Sequence, residues 1–222
     1  MTEQNTENKV LYDRDIREPL FEFLEDKFGK VRIFEEKQIG SVRADVVMVT
    51  PDALIGIEIK SDADTYTRLK KQVENYDKFY DYNILVVGST HAMHAKDHVP
   101  EWWGIITVEP LEEGGADFYV LREAVPNPMV DDKCKIAVLW RPELNNIIDK
   151  CGLPAYRRMS KQFVRDKLLE KVDGKILWPL VYEELFERDY TKIASVINEY
   201  RKTIKQKPRR RKSGARLRKK RV

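Results

Sequence analysis

Apolar residues along the chain fall into two kinds of run, one spaced for helices and one continuous or alternating, and together they predict most of the fold. From Asp13 to Phe28 the residues Ile16, Leu20, Phe23, Leu24 and Phe28 share one helical face, with Asp13 or Asp15 near its start and Gly29 marking its end. Val31 to Phe34 predicts an entering strand, followed by Glu35 and Glu36. Val46 to Val49 and Leu54 to Ile57 are β-rich runs joined by Thr50-Pro51-Asp52-Ala53, which has turn chemistry and predicts a β-hairpin. Ser61-Asp62-Ala63-Asp64 then offers N-cap residues for a helix carrying Tyr66, Leu69, Val73, Tyr76 and Tyr80 and ending near Asp81. Asn83 to Gly88 reads as a buried strand, so the strand-helix-strand succession predicts a parallel crossover beside the hairpin. Gly104 to Val108 and Asp117 to Leu121 predict two more strands, which makes the sheet mixed.

Past Asp131 the pattern turns helical, over 133–140, 142–150, 160–172, 176–187 and 191–204, with Gly152, Pro154 and Gly174 as breaks. Phe163, Leu168, Trp178 and Phe186 read as core positions rather than a cofactor box. The expected organisation is a flexible N-terminus over 1–12, an α/β domain over 13–125, a helical extension over 126–204 and a basic tail over 205–222.

The hairpin carries the candidate chemistry. If Val49 pairs with Leu54, the same register sets Asp45 opposite Glu58 and Arg43 opposite Lys60. Side chains alternate along a strand, so Glu58 and Lys60 point one way while Ile57 and Ile59 enter a core. Both strands are otherwise almost continuously apolar, which implies burial on both faces, and buried carboxylates need partners. A hard cation such as Mg²⁺ binds through one or two carboxylates plus substrate phosphate. Asp45 and Glu58 meet that requirement, the carbonyl of Ile59 offers a third oxygen, and Lys60 stands beside the same spot. The blander reading is a solvated, salt-bridged hairpin face.

Charge adds a second clue. The 222 residues carry a net charge of +4, yet eleven Lys or Arg and no acid lie between Lys205 and Val222, leaving 30 bases against 37 acids before them. Such a block, including Arg209, Arg210, Arg211 and Lys212, suits a polyanion, though it equally suits a solubilising or targeting tail. No run is apolar enough to cross a bilayer and no leader pattern opens the chain, so a cytoplasmic protein is expected. Cys134 and Cys151 lack zinc-site spacing and are expected to be reduced. His91, His94 and His98 could share a helical face and, with Asp97, hold a transition metal, but surface histidines are the plainer reading.

Asp45 followed by Glu58-Ile59-Lys60 resembles the PD-(D/E)XK nuclease core, and the likeness extends through Arg43-Ala44-Asp45, Ser61-Asp62, Asp64-Thr65, Arg68-Leu69, Gln72, Tyr76, Val86-Val87-Gly88 and Pro100-Glu101-Trp102-Trp103-Gly104. This pattern is similar to one small family of bacterial and phage proteins in that superfamily, and the similarity continues through Leu139-Trp140-Arg141 to about residue 190. The resemblance implies a restriction-endonuclease-like α/β core with a mixed central sheet flanked by helices. It implies metal ligation by Asp45 and Glu58, with Lys60 as catalytic lysine. Gln72 would position substrate or Lys60, and Glu36 would be an accessory acid, with Glu35 and Glu18 as alternatives. The superfamily's proline is replaced by Ala44. The expected activity is Mg²⁺-dependent hydrolysis of DNA, with Mn²⁺ able to substitute; Arg43 is a candidate nucleic-acid contact, and Arg68 reads as either an exposed helix residue or a phosphate contact. The alternative is a non-catalytic nucleic-acid-binding or protein-interaction module on the same fold. Trp102 and Trp103 offer either base stacking or core packing. DNA against RNA, endo against exo action and oligomeric state are left open by the residues.

Overall fold

The computed structural model describes residues 10–111 and 114–189, together with Ser195. The chain divides into two units, Met1–Glu187 and Arg188–Val222, and the description that follows is of the first. The basic residues Arg209, Arg210, Arg211 and Lys212, and the helix expected over 191–204, lie outside the described residues.

Helix α1, Asp13–Phe28, covers the predicted span and ends at Gly29, whose φ of 73° a residue with a Cβ rarely adopts. Six strands follow in a sheet whose spatial order equals chain order. They are β1 (Arg32–Ile39), β2 (Val42–Val49), β3 (Leu54–Lys60), β4 (Tyr82–Gly88), β5 (Gly104–Pro110) and β6 (Ala116–Arg122). The β1–β2, β2–β3 and β5–β6 pairs are antiparallel and β3–β4 and β4–β5 are parallel, so the sheet is mixed as the sequence predicts. Helix α2, Leu69–Phe79, makes the β3–β4 crossover. Helices α3 (Asp132–Lys135), α4 (Arg141–Lys150), α5 (Lys161–Lys171) and α6 (Gly174–Phe186) complete the described unit.

Each face of the sheet has its own core. Val46, Met48, Ile55, Ile57, Ile59, Ile84, Val86 and Ile106 pack with Ile16, Leu20 and Leu24 of α1. Val47, Val49, Leu54, Leu85 and Val87 lie in a second core with Val73 and Tyr76 of α2, Ile147 of α4, Leu168 of α5 and Val181 of α6. All seven residues of β3 are buried, which accounts for its uninterrupted apolar run and isolates its Glu58 and Lys60.

Two polar hubs fasten helices to the sheet. Oδ1 of Asp77 on α2 accepts the indole N–H groups of Trp103 (2.8 Å) and Trp102 (3.1 Å) and the amide of Asn83 (3.1 Å). Trp103 is fully buried, and both indoles are committed to this carboxylate, which favours core packing over base stacking for the pair. Asp81 accepts from the backbone of Leu54 (2.9 Å), from the hydroxyl of Tyr182 (2.9 Å) and from Lys135. The Lys135 ammonium also lies 4.1 Å from the ring centroid of Trp178, so a buried lysine on α3 links α6 to the start of β3.

Several boundaries differ from the pattern. β1 runs on through the charged segment Glu35 to Gln38 because it is an edge strand, where charged residues remain in water. Asp64 does not cap a helix; its carboxylate turns back to Ser61 N–H (2.9 Å) and Oγ (2.6 Å), and a short 3-10 turn, Tyr66–Arg68, precedes α2. The histidine segment forms only 3-10 turns, and His91 and His98 pack against the ring of Tyr66.

Candidate functional site

The hairpin register is the expected one, Val49 opposite Leu54 through Val46 opposite Ile57, but the ladder stops there. Asp45 and Glu58 therefore begin a gap between β2 and β3, and Arg43 does not pair with Lys60. On the other side the β1–β2 register steps from Glu35–Val46 to Lys37–Ala44, omitting Glu36 and Asp45. Glu36 has φ of 50°, an unusual conformation for a residue with a side chain. The alternation of side chains breaks at the same point: Val42 and Ala44 share a core with Val47 and Val49, while Val46 and Met48 lie in the other.

Side chains fill the gap left by the ladder. Oδ2 of Asp45 accepts the backbone N–H of Ile59 at 3.0 Å, and its other oxygen has no partner among the described residues. N–H and C=O of one strand residue point to the same side, so the Ile59 carbonyl is directed to the same gap. The hydroxyl of Tyr76 accepts from Asp45 N–H (3.1 Å) and lies 2.8 Å from Oε2 of Glu58 and 3.2 Å from the carbonyl of Ile57, a wedge between the strands. Oε1 of Glu58 takes the ammonium of Lys60 at 2.5 Å and the amide of Gln72. The amide oxygen of Gln72 is buried with no hydrogen-bond partner among the described residues.

These groups line a cleft of about 760 Å³ whose walls include Asp13, Arg17, Glu36, Arg43, Asp45, Glu58, Ile59, Lys60, Arg68, Lys71 and Gln72. Of the residues expected at a site, Asp45, Glu58, Ile59, Lys60 and Gln72 meet at its floor, and Glu36, Arg43 and Arg68 stand on its walls. Glu36 is exposed and paired with Arg43 at 3.2 Å. Glu18 is exposed and does not line the cleft, and Glu35 is engaged by Arg17. Lys71 and Arg17 were not singled out by the sequence pattern, and Asp13 was read only as a helix start. Asp13 and Arg17 were hidden because a charged pair four apart on an amphipathic helix looks like ordinary surface.

Electrostatics follow from burial. Burial and the facing charge of Asp45 push the Glu58 carboxyl up to about 7, against the opposing pull of Lys60 and Tyr76. Burial also raises Asp45, while the Ile59 N–H, Lys60 and Arg17 draw it back. Burial pushes the Tyr76 hydroxyl well up, so it stays protonated and able to donate. Two buried carboxylates with raised proton affinity, one of them raised in part by the charge of the other, form a site that a multivalent cation would relieve.

The donor set tests that idea further. Among the described residues, no group of three or more His, Cys, Asp and Glu side chains converges as a metal cluster, so side chains supply only Asp45 and Glu58 at the cleft floor. Two carboxylates and a backbone carbonyl are an all-oxygen set, which suits a hard divalent ion that retains water.

The architecture is thus that of an α/β protein with a mixed six-stranded sheet between helices and a polar cleft where two strands part. The sequence matches the family of the bacteriophage P4 protein cII over residues 6–211, and the chain belongs to that family. No curated protein matches it significantly. Among solved structures it is similar to SfsA of Pyrococcus furiosus in complex with Ca²⁺, at 13% identity and a TM-score of 0.30, a match covering 50% of this chain and 60% of that one. At that score the likeness does not establish a shared fold. Among the described residues no helix is long and apolar enough to cross a membrane.

Proposed function

We propose that the protein is a divalent-metal-dependent nuclease of the PD-(D/E)XK kind that hydrolyses DNA phosphodiester bonds. The observation that carries this reading is the parting of β2 and β3 at Asp45, which turns a strand ladder into a cleft floored by Asp45, Glu58 and Lys60. Asp45, Glu58 and the Ile59 carbonyl would hold Mg²⁺ or Mn²⁺, which when bound supplies an activated water and neutralises charge on the phosphate. Lys60, 2.5 Å from Glu58, is positioned to steady the attacking oxygen and the charge that develops on phosphorus. Gln72 donates to Glu58 and so orients it, and its buried amide oxygen remains without a partner among the described residues. Arg43, Arg68 and Lys71 on the walls are suited to flanking phosphates, contacts that fix register without reading sequence.

The test is incubation of plasmid, single-stranded and branched DNA with the full chain in Mg²⁺ or Mn²⁺, beside Asp45→Asn and Lys60→Ala. Metal-dependent cleavage that both substitutions abolish supports the reading. Cleavage unaffected by either overturns it, and DNA binding with no cleavage and no metal affinity would favour a non-catalytic module.

A further inference from the structure

The stretch of β2 that carries Asp45 is outside the strand ladder on both flanks, since the β1–β2 register skips the Glu36–Asp45 pair and the β2–β3 register ends at Val46–Ile57. A ligand-bearing residue in such a gap needs something other than the ladder to hold its peptide. Two side chains do this. Tyr76 receives the Asp45 N–H at 3.1 Å, and Nη1 of Arg17 donates to the Asp45 carbonyl at 3.4 Å.

Arg17 is itself held firmly. Its Nε and Nη2 grip the carboxylate of Asp13 at 2.6 and 3.2 Å, and Nη1 also reaches Oε2 of Glu35 at 3.2 Å. One guanidinium therefore joins α1, β1 and β2 at the place where the sheet comes apart, and its side chain is only 16% exposed. The planar fork of arginine suits three acceptors in fixed directions, whereas a lysine offers a single point charge on a flexible stem.

We propose that Arg17 is a positioning residue for the metal centre: its fork clamps the Asp45 peptide to α1 and β1, so that the Asp45 carboxylate faces Glu58 when a divalent cation binds. The inference rests on the reading of Asp45 and Glu58 as ligands and assigns the first helix a part in that site. A plain ion pair tying α1 to the sheet would affect stability only, and would leave the metal affinity of the folded protein unchanged.

The experiment measures Mn²⁺ binding by calorimetry and by electron paramagnetic resonance on the full chain, with thermal unfolding in parallel. The variants are Arg17→Met, Arg17→Lys and, as a control, Arg14→Met, whose arginine is exposed. Both Arg17 variants are expected to bind Mn²⁺ about 10–100-fold more weakly, the range for groups that orient a metal ligand, with an altered Mn²⁺ spectrum. Arg14→Met should match wild type. Wild-type affinity in Arg17→Lys would mean that charge alone suffices and overturns the clamp. So would an Arg17→Met protein that melts earlier but binds Mn²⁺ undiminished. Should Arg17→Met not fold, Arg17→Lys measured below its transition decides the matter. A wild-type chain that binds no Mn²⁺ at all overturns the metal-centre reading itself, and the clamp with it, a result distinct from normal binding that is insensitive to residue 17.

Discussion

Replacing Asp77 with alanine removes one oxygen on which three buried or half-buried donors converge: the indoles of Trp103 and Trp102 and the amide of Asn83. Each donor left without an acceptor costs about 1–3 kcal/mol. Trp103 and Asn83 are fully buried and incur that penalty in full, while Trp102, half-buried, recovers part of it from water. Burial raises the proton affinity of Asp77, so truncation also relieves a desolvated carboxylate and returns some of the loss. The net expectation is about 4 kcal/mol of destabilisation, or about 10 °C in Tm at the 2–4 °C per kcal/mol usual for a domain of this size. Asp77→Asn keeps the accepting oxygen and should stay within about 1 kcal/mol of wild type. Urea unfolding followed by tryptophan fluorescence measures both, and tryptophans 102 and 103 report on the hub directly. A loss below 1 kcal/mol in Asp77→Ala, or equal losses in the two variants, would refute the claim that one carboxylate oxygen organises this junction.

Other outcomes follow from the site and its frame. Glu58 has an ordinary value of 4.5 and is raised to about 7 in the fold, so the metal-free fold favours its protonated form. Stability is therefore greatest below the unfolded value and falls as pH rises through 7, by up to about 3 kcal/mol. Thermal unfolding without metal should show the decline between pH 5 and 8, Mg²⁺ should raise Tm more at pH 8 than at pH 6, and a flat profile would contradict the assignment. Glu36→Gly should stabilise the protein by about 0.5–1 kcal/mol, because glycine tolerates the φ of 50° and an exposed ion pair is a small loss; a lower Tm counts against strain at that position. Gly56→Ala would bring a Cβ within 2.2 Å of Tyr80 and 2.7 Å of Tyr76, two packed rings, and should cost about 3 kcal/mol by the same urea titration.

How much of this was legible depended on whether the cause was local. α1 was readable to both ends because its apolar spacing and Gly29 are local signals, and the Val49–Leu54 pairing was readable because a turn between two β-branched runs admits little slippage. The strand expected over Val31 to Phe34 stopped short of the charged outer half of β1, since an edge strand lacks the apolar alternation of an inner one. The parting of the strands at Asp45 has no local signature at all. It depends on the Tyr76 hydroxyl, thirty-one positions along the chain, and on Arg17, twenty-eight positions before. Asp45, Glu58 and Lys60 stood out by sequence because charge is conspicuous in an apolar strand. Arg17 and Asp13 did not, because charge is ordinary on the outer face of a helix.

The coincidence of spatial order with chain order in the sheet bears on biosynthesis. No strand has to slip between two neighbours already joined, so each one leaving the ribosome can dock on the edge laid down just before it. The cleft-forming strands and the helix bearing Gln72 and Tyr76 are complete while the last helices are still being translated. Until α4, α5 and α6 arrive, however, the side of the sheet holding Val47, Val49 and Leu85 lacks those helices as cover, and nascent chains halted before residue 141 are the ones expected to need a chaperone.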